Sequence, residues 1–261
     1  MMKIKKFNQL IVEHKLWGKS IQEFLNWLES KCDQDWAWID TETTGLSSDK
    51  YDVQLTQIAS IVTKYDFGSN QFSEIDSFNK KLKLTDKTKR SFDGNRIKGV
   101  LKFNHYGQKN TKYYPEDTTI EEFFEWLEDF EDPLFVIQNA IFDMKFLNTR
   151  NKGIIYDNDV LDTKQIIQLF YLPALQKLAE TDPKYKETIT KIGTSDRDNG
   201  LISSSMSKIG PALGINMSGY HDALTDCRIT IQMFQRIIDF LKQNKSIDIS
   251  KYQGERINRI R

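Results

Sequence analysis

Trp36-Ala37-Trp38-Ile39-Asp40-Thr41-Glu42-Thr43-Thr44-Gly45-Leu46 changes character halfway along. Its first four residues are aromatic or apolar, as in a short buried strand. Two acids then follow at a spacing of two. Side chains alternate along a strand, so Asp40 and Glu42 share a face. Adjacent carboxylates repel, and each raises the other's pKa unless a cation compensates. A hard divalent metal with oxygen ligands is the simplest such cation. Thr43-Thr44-Gly45 at the strand exit suits backbone that must approach another group closely.

Outward from this strand, helical and strand patterns alternate, as in an α/β domain. Ser20 to Lys31 reads as a helix, with a Ser20/Glu23 capping box and one apolar face of Ile21, Phe24, Leu25 and Leu28. Ile58 to Tyr65 and Phe72 to Leu84 read as strands. Thr119 to Phe130 reads as a helix with its own capping box, Thr119 and Glu122. Leu134 to Ile137 is a buried strand, and a helix follows from about Ile141 to Arg150, capped by Asn139. Asp159 to Asp162 reads as a strand that feeds a helix ending at Leu172. A long helix starts near Asp222, with Ala223, Cys227, Thr230, Ile231, Phe234, Ile237, Ile238 and Leu241 at helical spacing.

The chain has 261 residues, 39% of them hydrophobic, enough to bury a real core, and this excludes global disorder. Lys and Arg total 37 against 37 Asp and Glu, so any attraction for a polyanion must be local. Cys32 and Cys227 are too few for a disulfide scaffold and form no metal-type pair. They favour a reducing, cytoplasmic location. No apolar run approaches the roughly 20 residues that cross a bilayer, so no membrane role is expected. Polar residues interrupt the stretch after the basic start Met1 to Lys6, so no signal peptide is expected either. Local charge is uneven. Lys80 to Lys112 holds eleven Lys and Arg against two Asp, with Phe92, Phe103, His105 and Tyr106 interleaved. Glu116 to Asp132 holds nine carboxylates and no cation. The polar segment 180–205 reads as a surface insertion.

Two further segments carry chemistry. Gln138-Asn139-Ala140-Ile141-Phe142-Asp143 leaves a buried strand and opens a helix, where ligands of open α/β sheets collect. Asn139 and Asp143, four apart, share a helical face. In His221-Asp222-Ala223-Leu224-Thr225-Asp226, His221 precedes a helix and Asp226 lies beside that helix's apolar stripe. Together, DTETTGL at 40–46, NAIFD at 139–143 and HDALTD at 221–226 resemble the DEDDh 3′–5′ exonucleases, the DnaQ-like branch of the RNase H-like fold. Val160-Leu161-Asp162-Thr163 and the stretch Ser205 to Ile215 also match. The resemblance runs from Trp36 to Leu241. The His five residues before Asp226 makes it the His subtype. Gln138 stands where the family often has His.

The resemblance implies a mixed central sheet flanked by helices, in a domain spanning 36–241 with insertions near 80–117 and 180–205. A helical extension (1–35) would precede it and a basic tail (242–261) would follow. It implies that Asp40, Glu42, Asp143 and Asp226 hold two Mg²⁺ or Mn²⁺ ions, whose charge balances the four carboxylates. His221 would be the general base, its ordinary pKa near 6.5 suiting that role. Thr43, Leu46, Asn139 and Phe142 would contact the substrate. The expected activity is hydrolysis from a free 3′ end, with single-stranded DNA favoured and nucleoside 5′-monophosphates released. A polymerase or a replication or repair protein would be the partner. The alternatives are an exoribonuclease, a proofreading subunit and a catalytically silent nucleic-acid-binding module. The basic segment 80–112 is the expected track for the strand, since lysines neutralise phosphates and aromatics stack on unpaired bases; the alternatives are a solvated charged loop, or pairing with the acidic helix at 120–130.

Overall fold

The computed structural model describes residues 16–46, 53–86, 100–150, 159–196 and 200–254. Residues 87–99 of the basic segment, and the two ends of the chain, lie outside the described residues. α1 (Ile21–Glu29) opens on the expected capping box, the Ser20 and Glu23 side chains each accepting the other's backbone amide. β1 (Asp35–Thr43) is the centre of a sheet with β2 (Leu55–Asp66), β3 (Gln71–Leu82), β4 (Tyr113–Tyr114), β5 (Leu134–Ile137) and β6 (Val160–Asp162). The strand order is β4-β3-β2-β1-β5-β6. β1 runs antiparallel to β2 and parallel to β5, so the sheet is mixed, as expected.

Alternation along β1 builds two cores. Trp36 and Trp38 face a core shared with α1 and with α8 (Ala223–Gln243), where they meet Phe234 edge-on. Ala37 and Ile39 face the other core, shared with α2 (Glu116–Leu127) and α3 (Ala140–Arg150). Both indole N–H groups are satisfied, by the Lys31 carbonyl at 3.0 Å and the Thr63 hydroxyl at 2.9 Å. The same alternation carries Asp40 and Glu42 onto the α8 side and Thr41 onto the α3 side.

Several boundaries differ from expectation. α2 starts at Glu116 behind Pro115 and has no side-chain cap. The expected Thr119/Glu122 box does not form, because Thr119 is already inside the helix and its hydroxyl donates to the Pro115 carbonyl. After β6 the helix is broken into α4 (Thr163–Ile166), a π-helical turn (Ile167–Tyr171) and α5 (Leu172–Leu178), passing the expected end at Leu172. The 180–205 segment folds into α6 (Pro183–Ile192) and a two-strand ribbon of β7 (Thr194–Ser195) and β8 (Leu201–Ile202), followed by α7 (Met206–Ala212). The two ends of the described chain meet: the buried Gln253 amide donates to the Lys19 and Leu169 carbonyls. Among the described residues, no helix is long and apolar enough to cross a membrane.

Candidate active site

β1 ends at the carboxyl edge of the sheet, where α3 and α8 also begin. Asp143, in the first turn of α3, reaches back to β1. One of its oxygens accepts the Thr41 amide at 2.9 Å and the Thr41 hydroxyl at 2.6 Å. Asp226, in the first turn of α8, is 4% exposed, which excludes a solvated helix acid. Its carboxylate accepts the His221 amide at 3.3 and 3.2 Å. The Cys227 thiol donates to the Trp38 carbonyl at 3.3 Å and fixes this turn of α8 against β1. Asp40, Glu42, Asp143, Asp226 and His221 are therefore brought together.

Their electrostatics show mutual repulsion. Asp40 is held well above the usual carboxylate range, by desolvation first and then by the charges of Asp143, Asp226 and Glu42. Glu42 is pushed up to about 8 by desolvation and by Asp226 and Asp143. Asp143 and Asp226 are each raised to about 7, again by burial first, with the bonds from Thr41 and from the His221 amide holding them lower. Acids crowded this way suit a bound cation. Ligand atoms of Glu42, His221 and Asp226 lie within 4.8 Å of one another, and the carboxylate oxygens gathered there are the hard donors a divalent ion takes.

His221 sits at φ 71° with its Nδ1 3.8 Å from Glu42 Oε1. Its pKa is not near 6.5. Burial, and then the neighbouring His105, lower it to about 4, so the ring is neutral at pH 7. Its ring lies against those of Tyr220 and Phe103, tilted to both, at centroid distances of 3.8 and 3.9 Å.

The expected substrate residues are placed less uniformly. Leu46 is 84% exposed just past the strand end. Phe142 is half-buried and packs on Phe146. Thr43 is buried, and its hydroxyl donates to the Gly45 carbonyl at 2.6 Å. Asn139 is exposed at φ 68°, not extended as an N-cap residue would be. Asp162 accepts the amides of Asn139 and Ala140, so the carboxylate at the start of α3 comes from β6. Asn139 Oδ1 instead accepts from Lys164 at 3.3 Å.

Sequence reasoning missed Thr41, which fixes Asp143, and Asn104, whose buried amide donates to the Thr43 carbonyl at 3.0 Å. The acidic helix does pair with the basic segment, Lys80 with Glu122, but sequence reasoning missed that Lys81 is committed to Asp222.

The exonuclease family model matches residues 37–234, which include all three motifs. No curated protein matches by sequence. Among solved structures, the chain is similar to E. coli exonuclease I in complex with a dT13 oligonucleotide, at 20% identity and a TM-score of 0.53, over 78% of this chain and 40% of that one. It is similar to the dA16 complex of the same enzyme at 18% identity and 0.54, over 84% and 43%. The zinc-bound exonuclease I–ssDNA complex aligns at 16% identity and 0.53, over 80% and 43%. The chain thus spans about two fifths of the length of the exonuclease I chains it matches. At these identities the likeness is one of fold. Taken with the family match over most of its length, it shows that the chain belongs to the exonuclease family, in the DEDDh branch with the RNase H-like fold.

Proposed function

We propose that this protein is a metal-dependent 3′–5′ exonuclease that releases nucleoside 5′-monophosphates from single-stranded DNA. The observation that carries the reading is the meeting of Asp40, Glu42, Asp143, Asp226 and His221 at one edge of the sheet, from three separated stretches of chain.

Asp40, Glu42, Asp143 and Asp226 would hold two Mg²⁺ or Mn²⁺ ions. When bound, such ions supply Lewis-acid stabilisation of the charge on the attacked phosphate and the leaving 3′ oxygen. The four carboxylates alone would repel a phosphodiester, so the site admits substrate only when their charge is balanced. Thr41 keeps Asp143 oriented through two hydrogen bonds. His221, whose Nδ1 lies 3.8 Å from Glu42 Oε1 at the edge of the acid cluster, is the proton acceptor for the attacking water. Leu46, Asn139 and Phe142 contact the terminal nucleotide, and Thr43 shapes the turn that presents Leu46.

Apolar surface supports an unpaired substrate. Among the described residues the large apolar side chains most open to solvent are Leu46, Phe103, Ile141 and Ile75. Three of these belong to segments that carry or touch the acid cluster. Exposed base faces suit such surface, whereas a duplex hides them. Solved exonuclease I complexes contain dT13 and dA16 oligonucleotides, which fits the same choice.

The test is a time course on 5′-labelled single-stranded DNA, duplex DNA and RNA, with Mg²⁺ or EDTA. The expected result is a ladder shortening from the 3′ end, fastest on single-stranded DNA, and absent in EDTA and in Asp40→Ala. Cleavage that persists in Asp40→Ala, or binding of all three without cleavage, would refute the reading. Faster loss of RNA would reassign the substrate.

A further inference from the structure

His221 occupies a left-handed backbone conformation, which a non-glycine residue keeps only where its surroundings over-determine it. Both flanking residues are held by groups that lie in none of the three motifs. On one side, the Asp222 carboxylate caps α8, accepting from the Thr225 amide and hydroxyl at 3.3 Å. Its other oxygen faces Lys81 Nζ at 3.3 Å and accepts from Gln57 Nε2 at 3.1 Å. Gln57 and Lys81 are register partners on β2 and β3, so the contact is built on the sheet. On the other side, His105 Nε2 lies 3.2 Å from the Tyr220 carbonyl. A carbonyl only accepts, so the proton is on that nitrogen. Lys81 also donates to the His105 carbonyl at 3.5 Å, joining the two holds. The same stretch sets Phe103 on the His221 ring.

We propose that Lys81 is a positioning residue for His221. With Gln57 on Asp222 and His105 on Tyr220, it clamps the turn so that the imidazole faces Glu42 and the acid cluster. This assigns Lys81 a role other than contact with substrate phosphates. Its side chain is 14% exposed and already engaged by a carboxylate, whereas Lys83, Lys102, Lys109 and Lys112 of the same segment are exposed. The clamp acts on the proton-accepting step, and in that respect it rests on the nuclease reading above.

Two measurements test it together. The first is steady-state kinetics on a single-stranded oligonucleotide for wild type, Lys81→Met, Lys81→Arg, Asp222→Asn and the Lys81→Met/Asp222→Asn double variant, each checked by thermal melting. Asn still caps a helix, so Asp222→Asn removes mainly the charge. Lys81→Met is expected to lower kcat about tenfold with KM within about twofold, because misplacing a catalytic group costs rate more than binding. Lys81→Arg should recover most of the loss. In the Asp222→Asn background Lys81→Met should cost less than it does alone, because part of its effect runs through the shared contact with Asp222 and only the hold on the His105 carbonyl is left to lose. A raised KM with kcat intact would make Lys81 a phosphate contact and overturn the proposal, as would additive losses in the double variant.

The second measurement is the ring ¹⁵N spectrum of histidine-labelled protein, which is simple because the chain has three histidines. The His221 ring signals should shift or broaden in Lys81→Met. Unchanged signals would overturn the clamp. This readout needs no activity, so a wild-type protein that cuts no nucleic acid would sink the nuclease reading while the clamp is still decided. Should Lys81→Met fail to fold, Asp222→Asn carries both readouts.

Discussion

In EDTA, raising the pH from 6.5 to 8 should lower the melting temperature of the wild-type protein, and Mg²⁺ should restore it. An acid whose folded pKa lies above its unfolded value holds its proton more tightly in the folded state. The stability it gives is complete below the unfolded value, near 4, and is lost as pH rises through the folded value. For Glu42, with a folded value of about 8, the loss between pH 6.5 and 8 is on the order of 1–2 kcal/mol. Asp143 and Asp226, at about 7, add somewhat under 1 kcal/mol each. Asp40 is raised for the same reasons and acts in the same direction. His221 works the other way, since a lowered histidine pKa favours the folded state as pH rises. That gain is nearly complete by its unfolded value near 6.5, so little of it acts across this pH range.

The net loss is about 3 kcal/mol, and at roughly 2–4 °C per kcal/mol for a domain of this size the melting temperature should fall by about 6–12 °C. Divalent ions that bind only the ionised cluster of the folded state would, at about a hundred times Kd, return close to 3 kcal/mol. Replacing one acid should have a similar effect without metal, so Asp226→Asn should melt above wild type at pH 8 in EDTA and respond less to Mg²⁺. Differential scanning fluorimetry of both proteins across this pH range, with EDTA or Mg²⁺, provides the check. A wild-type melting temperature that is flat or rises from pH 6.5 to 8 in EDTA would refute the reasoning. So would an equal Mg²⁺ shift in Asp226→Asn.

Thr41→Val removes the 2.6 Å hydroxyl bond to Asp143 but leaves the amide bond. Activity at limiting Mg²⁺ should fall about tenfold, in keeping with 1–2 kcal/mol for a missing bond to a charged group, and a Mg²⁺ titration of the rate measures it. Asp162→Ala strips the carboxylate from the Asn139, Ala140 and Lys164 amides and should destabilise the fold by about 2–3 kcal/mol, read by urea melts. Replacing Lys83, Lys102, Lys109 and Lys112 with Gln should flatten the salt dependence of single-strand binding by about 0.7 in log–log slope for each phosphate no longer neutralised. An unchanged slope in a fluorescence-anisotropy titration would remove those lysines from the footprint.

The elements that sequence revealed are those whose pattern is their own. β1 announces itself because Trp36 and Trp38 alternate with Ala37 and Ile39 between two cores, and α1 because Ser20 and Glu23 satisfy each other locally. The acids were legible for the same reason: each lies at the junction where its strand or helix starts or ends. Thr119/Glu122 misled because a capping box is a short pattern with many chance matches. Pro115, already in an extended conformation, takes the N-cap position instead.

The illegible parts are partnerships between distant positions. The hydroxyl of Thr41 is spent on Asp143, the carboxylate of Asp162 on amides of another element, and the ammonium of Lys81 on Asp222. Periodicity reports which face of its own element a residue occupies and says nothing about what faces it. The start of α3 shows the consequence. Local rules favour Asn139 as the cap, because an Asn before an apolar run is the usual signal. Asp162 displaces it, since β6 lies beside β5 and presents a buried carboxylate to two amides at once. A charged acceptor binds amides more strongly than a neutral one, and the positive end of the helix favours the charge. Asn139 is thereby left at the surface in a left-handed conformation, its side-chain oxygen accepting from Lys164.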